Sequence, residues 1–199
     1  MADTPPERQT RAFRGTTSRS GQRTLVLIAT LALAPLVAAY VVYYLFPRQP
    51  AANYGTLLPT VPAPQIVGTR ADGAQFRLDD LRGRWVLLWG DRGNCNAECE
   101  TKLYATRQAR TMQGKDQDRI ARVWLVIGDA TPSPELIAQH PGLIVARVAE
   151  RALDPLPGGP LALYVVDPLG NLVLRYPGNP DIRGLANDLT RLLKASQIG

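Results

Sequence analysis

The chain is poor in the side chains that hold metals. Its 199 residues include two cysteines, one histidine and two methionines. Two cysteines cannot fill the four positions of a structural zinc site. Met1 and Met112 place no thioether near the thiols, Cys95 and Cys99. The one histidine, His140, is followed by Pro141-Gly142 and reads as a surface loop residue, with no spacing that aims it at the cysteines. Basic charge is scarce too, once its distribution is considered. The formal net charge is +6, but the first 23 residues hold five arginines (Arg8, Arg11, Arg14, Arg19, Arg23) against Asp3 and Glu7. That tail carries +3 and leaves only +3 elsewhere, too little for a nucleic-acid surface. Apolar content of 45% and charged content of 20% are ordinary globular values and exclude a wholly disordered chain.

Charge is missing altogether from one stretch. Residues 24–46, TLVLIATLALAPLVAAYVVYYLF, run for 23 positions without it. At about 1.5 Å per helical residue this length crosses a hydrocarbon core of roughly 30 Å. Tyr40, Tyr43, Tyr44 and Phe46 gather at its end, as an aromatic belt would, and Pro35 sits inside a span that tolerates it. A cleaved signal peptide would have a shorter apolar region ending in small residues, so an uncleaved anchor is the better reading. Arginines upstream place the N-terminus in the cytoplasm and the rest of the chain beyond the inner membrane, in a bacterial periplasm. Cysteines there meet oxidising conditions.

The expected organisation is a basic tail at 1–23, a membrane span at 24–46, a Pro-rich tether at 47–64 and a globular domain at 65–199. The tether, PRQPAANYGTLLPTVPAP, holds five prolines and no regular period. In the domain, Asp72-Gly73 marks a hairpin turn between short strands at 65–68 and 75–78. The apolar runs 85–89 (WVLLW) and 122–127 (RVWLVI) have the length of buried strands, so Trp85, Trp89 and Trp124 read as core. A helix is expected over about 95–112, with Ala105, Ala109 and Met112 as its stripe, and a short one within 131–139. Strands follow at 143–148, 161–166 and 171–176, then a helix over 181–195 with leucines at helical spacing. This order predicts an α/β fold, a mixed sheet with helices on both faces.

Both cysteines lie in Gly93-Asn94-Cys95-Asn96-Ala97-Glu98-Cys99-Glu100, between the strand at 85–89 and the first helix. Asn94 is the expected N-cap, which would set Cys95 and Cys99 at i and i+4 on one face of the first turns. The helix dipole and free N–H groups there favour a thiolate. Arg92 assists, while Glu98 and Glu100 oppose. A local disulfide across three residues gives little loop-closure stabilisation, which argues against a structural staple. Two chemistries stay open: a redox couple in which one thiolate attacks and the other resolves, or a soft two-sulfur clamp for Cu(I).

The segment Gly83-Arg84-Trp85-Val86-Leu87-Leu88-Trp89-Gly90, followed by Cys95 and Cys99, resembles the Sco/SenC family. Asp79–Arg84 and Tyr164-Val165-Val166-Asp167-Pro168-Leu169-Gly170-Asn171 extend the match. The resemblance implies a membrane-tethered thioredoxin-like fold and a part in delivering copper to cytochrome c oxidase. The implied partners are an oxidase subunit or another copper chaperone. It also implies Cys95 as nucleophile, Cys99 as resolving thiol, and both as copper ligands. The family's copper-binding histidine falls at Gly159, eight residues before Asp167, so the third ligand is absent. Pro160 stands near the position where thioredoxin folds keep a cis-proline; an ordinary loop proline is the other reading. The expected function is assistance to oxidase copper-centre assembly, by thiol-disulfide reduction of a partner or transient Cu(I) transfer. Its alternative is a redox-inactive, membrane-tethered interaction module. A peroxidase of the thioredoxin-like branch lacks its threonine ahead of Cys95.

Overall fold

A computed structural model describes residues 19–45 and 53–196. The chain separates into two compact units, Met1–Ala52 and Asn53–Gly199. The expectations for residues 1–18, for Phe46 and for the tether at 47–52 lie outside the described residues.

The first unit contains helix α1, Arg19–Leu45, with Pro35 inside it. Residues 21–41 are long and apolar enough to cross a membrane. Leu25, Leu31 and Leu36 are exposed on it, as suits a lipid-facing helix. Tyr40 and Tyr44 pair their rings at 4.4 Å near its end.

The second unit is built on one eight-stranded sheet. Its strands are β1 (Thr56–Pro62), β2 (Val67–Arg70), β3 (Gln75–Arg77), β4 (Trp85–Arg92), β5 (Ile120–Ile127), β6 (Leu143–Arg147), β7 (Leu163–Val166) and β8 (Asn171–Tyr176). They lie in the order β1-β8-β7-β4-β5-β6-β2-β3. β4, β5 and β6 are parallel neighbours, and the remaining pairings are antiparallel. The helices are α2 (Ala97–Thr111), α3 (Pro134–Ala138) and α4 (Ile182–Ala195).

Alternation along β4 explains how two cores form from one sheet. Trp85, Leu87 and Trp89 point to one face, where they meet Leu103 of α2 and Leu185 and Leu189 of α4. Val86 and Leu88 point to the other, where they meet Phe76, Leu78, Leu153 and Tyr164. Every residue of β5 is buried, as a central parallel strand requires. Leu136 and Ile137 of α3 also pack against the first face. The second face is covered by loops and by single 3-10 turns at Leu78–Leu81 and Glu150–Leu153, not by a second helix layer.

Two further expectations change. Residues 56–62, expected as irregular tether, form edge strand β1, antiparallel to β8. Edge strands accept prolines because one side of the backbone needs no ladder partner. Behind β1, Asp188 of α4 is buried and accepts from Tyr54 N (3.2 Å), Gly55 N (2.9 Å) and Tyr176 Oη (3.1 Å). Burial, then the Asp188 charge, drives the Tyr176 phenol pKa above its usual range. The stripe of α2 also differs. Its buried side carries Cys99, Lys102, Leu103, Ala105, Thr106 and Ala109, while Met112 closes the helix and is exposed.

Candidate functional site

Strand β4 delivers the chain to the site, and one residue decides where α2 begins. Asn96, not Asn94, is the N-cap: its extended backbone lets Oδ1 accept from Cys99 N at 3.0 Å. Both asparagines suit the role by type, and local sequence alone does not choose between them. The consequence is that Cys95 lies just before the helix and Cys99 is its third residue. The two do not share a helical face as expected. They are instead joined in a disulfide, with Cα atoms 5.2 Å apart, across the helix start. Cys99 is fully buried beside Trp89, Leu103 and Trp124, whereas Cys95 is only partly covered. Cys95 is therefore the more accessible of the two sulfurs and Cys99 the protected one. The three tryptophans are buried, as expected of core residues.

The loop before Cys95 is held close to its neighbours. A methyl group on Gly93 would press into the Ala130 carbonyl, so glycine is needed for this approach. Gly90 N donates to Pro160 O at 2.8 Å, and a Cβ on Gly90 would lie 3.0 Å from that of Pro160. Pro160 thus stands beside the end of β4, in the neighbourhood expected for it, but its peptide bond is trans; no cis bond occurs among the described residues. Tyr164 Oη donates to Pro157 O (2.9 Å) and Gly159 O (2.7 Å), pinning the glycine-rich loop from below.

A charged pair lies under this loop. The Lys102 side chain is 2% exposed, and its Nζ is 3.2 Å from Asp91 Oδ2, which is 15% exposed. The same ammonium donates to Leu161 O at 2.7 Å. Burial lowers the Lys102 pKa, and the Asp91 carboxylate works against that shift. Lys102 and Asp91 did not stand out in the sequence. The available signal was the position of Lys102, three residues after Cys99 and hence on its side of the helix.

His140 is buried, contrary to the surface position expected of it. The turn after α3 folds it against α2, in a groove also lined by Glu100, Tyr104, Arg107 and Leu136. Burial, then the Arg107 and Arg122 charges, lowers its pKa. Arg122 of β5 is buried nearby, with Nη2 donating to Pro141 O at 2.8 Å, and burial brings its pKa down to about 10.

A resident three-ligand copper centre does not fit this geometry. No group of three His, Cys, Asp or Glu side chains suited to a metal occurs among the described residues. Gly159 has positive φ and open space where a side chain would project, and it brings no donor. What remains is a sulfur pair, one half accessible, on a short loop between a central strand and a helix.

The model of the transmembrane-like, thioredoxin-like C-terminal domain family matches residues 85–196. The chain belongs to this family. The match begins at β4 and runs through α4, so it takes in both cysteines, Lys102 and Pro160. No curated protein sequence matches the chain. Among solved structures, copper-bound ScoI of Arabidopsis thaliana is similar at 18% identity, with a TM-score of 0.56, covering 68% of this chain and 99% of its own. Apo Sco1 of Thermus thermophilus is similar at 22% identity and a TM-score of 0.55, covering 74% and 98%. A Chlorobium tepidum protein described as a thiol:disulfide interchange protein, DsbE, is similar at 19% identity and a TM-score of 0.51, covering 69% and 99%. At these identities the likeness establishes the thioredoxin-like fold of this family member, as the sequence resemblance implied.

Proposed function

We propose that this is a membrane-anchored thiol-disulfide exchange protein of the Sco/SenC type, serving assembly of the cytochrome c oxidase copper centre. The observation that carries the reading is the Cys95–Cys99 disulfide, with an accessible sulfur outside the helix and a buried one inside it. In the reduced protein, Cys95 thiolate attacks a partner disulfide and forms a mixed disulfide, releasing one partner thiol. Cys99 then attacks Cys95 Sγ, which releases the second partner thiol and restores the intramolecular bond. Two electrons and two protons pass to the partner, and an external dithiol donor renews the reduced form.

The partners in this reading are a copper-receiving oxidase subunit or another copper chaperone. The setting is the inner membrane, with residues 24–46 as a single span and residues 53–199 in the periplasm. Copper is cargo: Cu(I) passes transiently between sulfurs of the reduced pair, which lacks a third ligand.

Titration of the reduced full chain with Cu(I) against a competing chelator tests the division between exchange and transfer. The expected result is weak retention of copper together with fast exchange with a partner disulfide peptide. Stoichiometric, tight binding that is lost in the Cys95→Ser/Cys99→Ser variant would make Cu(I) transfer the primary activity. Inertness toward both copper and disulfides would favour the interaction-module alternative.

A further inference from the structure

Lys102 is a buried cation to which the exchange reading gives no role. An ammonium has three N–H donors. Two are directed at Asp91 Oδ2 and Leu161 O, and among the described residues no protein acceptor takes the third. Helical side chains lean toward the N-terminus, over the residues three and four positions earlier. Lys102 therefore leans toward the turn that holds Cys99, and both are buried on the same side of α2. Its ammonium ends at Asp91, four residues before Cys95, and at Leu161, the residue after Pro160. One side chain thus ties α2, the end of β4 and the loop before β7 together.

Opening that disulfide creates charge where it is hardest to accommodate. When a thiolate attacks Cys95 Sγ, a new S–S bond forms and the electron pair of the old bond moves to Cys99 Sγ. Cys99 leaves as an anion among Trp89, Leu103 and Trp124, surroundings that offer little solvation. Lys102 is a cation buried on that side of α2, one turn after Cys99.

We propose that Lys102 is a positioning residue for the exchange reaction: it fixes the cysteine loop against α2 and sets a positive charge where the anion develops on Cys99. Asp91 holds the ammonium in place and moderates its field. The inference rests on the exchange reading above. The same charge serves the reverse step, in which Cys99 attacks Cys95.

The test uses the full chain in detergent micelles, opened by dithiothreitol, with thiols counted by alkylation at timed quenches. Lys102→Met is expected to open about tenfold more slowly than wild type, the loss of one charge-assisted contact. Asp91→Asn is expected to open at least as fast as wild type, because the ammonium is no longer neutralised. A clamp without electrostatic function loses the same bond in both variants and slows both; that result, or an unchanged Lys102→Met rate, overturns the inference. Should Lys102→Met not fold by circular dichroism, the direction of change in Asp91→Asn decides. A wild-type disulfide that dithiothreitol does not open would instead sink the exchange reading itself.

Discussion

Asp188→Ala is expected to destabilise the globular unit by about 3 kcal/mol, a fall of roughly 10 °C in Tm. The carboxylate is buried, accepts from the amides of Tyr54 and Gly55 and the hydroxyl of Tyr176, and pairs with Arg191 Nη1 at 3.6 Å. Alanine leaves all three hydrogen-bond donors without this acceptor, two of them in buried bonds. The cost of such orphaned groups exceeds the net worth of the bonds themselves. Asp188→Asn keeps one acceptor but turns an amide N–H toward donors, so an intermediate loss is expected. Thermal melts followed by circular dichroism measure both. Exchange activity well below the new Tm should be kept, because Asp188 bonds the start of the domain and Tyr176, not the cysteine loop. A loss under 1 kcal/mol for the alanine variant would mean that the start of the domain is not held by this contact.

Cys95→Ser is expected to reduce exchange with a disulfide peptide to the uncatalysed rate and to abolish complementation of oxidase assembly. Serine carries no thiolate, and Cys99 is too deeply buried to substitute for it. Cys99→Ser behaves differently: Cys95 still attacks, but nothing resolves the product, so the mixed disulfide accumulates. Mass spectrometry of non-reduced samples distinguishes the two variants directly. Loss of the disulfide alone does not account for either result, since a bond closing so short a loop stabilises by only about 2 kcal/mol. Full complementation by Cys95→Ser would contradict the assigned role.

The parts of this fold that were legible in the sequence are those set by local pattern. Asp72-Gly73 marks its hairpin because the turn needs positive φ at Gly73, and the structure has it. β8 falls where expected, and apolar runs locate β4 and β5, each of which extends a few residues further. β1 was hidden because its prolines argue against strand and its partner β8 lies more than 100 residues away. The start of α2 was misplaced by two residues because Asn94 and Asn96 are equally good caps by type.

The site divides in the same way. Cys95 and Cys99 are visible as the only thiols of the chain. Lys102 and Asp188 are ordinary charged residues on amphipathic helices until distant segments bury them. Leu161 lies 59 positions from Lys102, and Tyr54 lies 134 from Asp188. His140 looked exposed because Pro141-Gly142 signals a turn, and burial of a turn is decided by the helix packed over it.

The most direct test is a redox titration of the full chain in buffers of defined thiol-disulfide poise, with free thiols counted by alkylation. A reactive pair is expected to titrate as a single two-electron couple at a potential above about −300 mV, where cellular dithiols can open and close it. A couple far below that value, and inert to partner disulfides, would identify a structural bond and contradict the assignment of Cys95 and Cys99 as the working site.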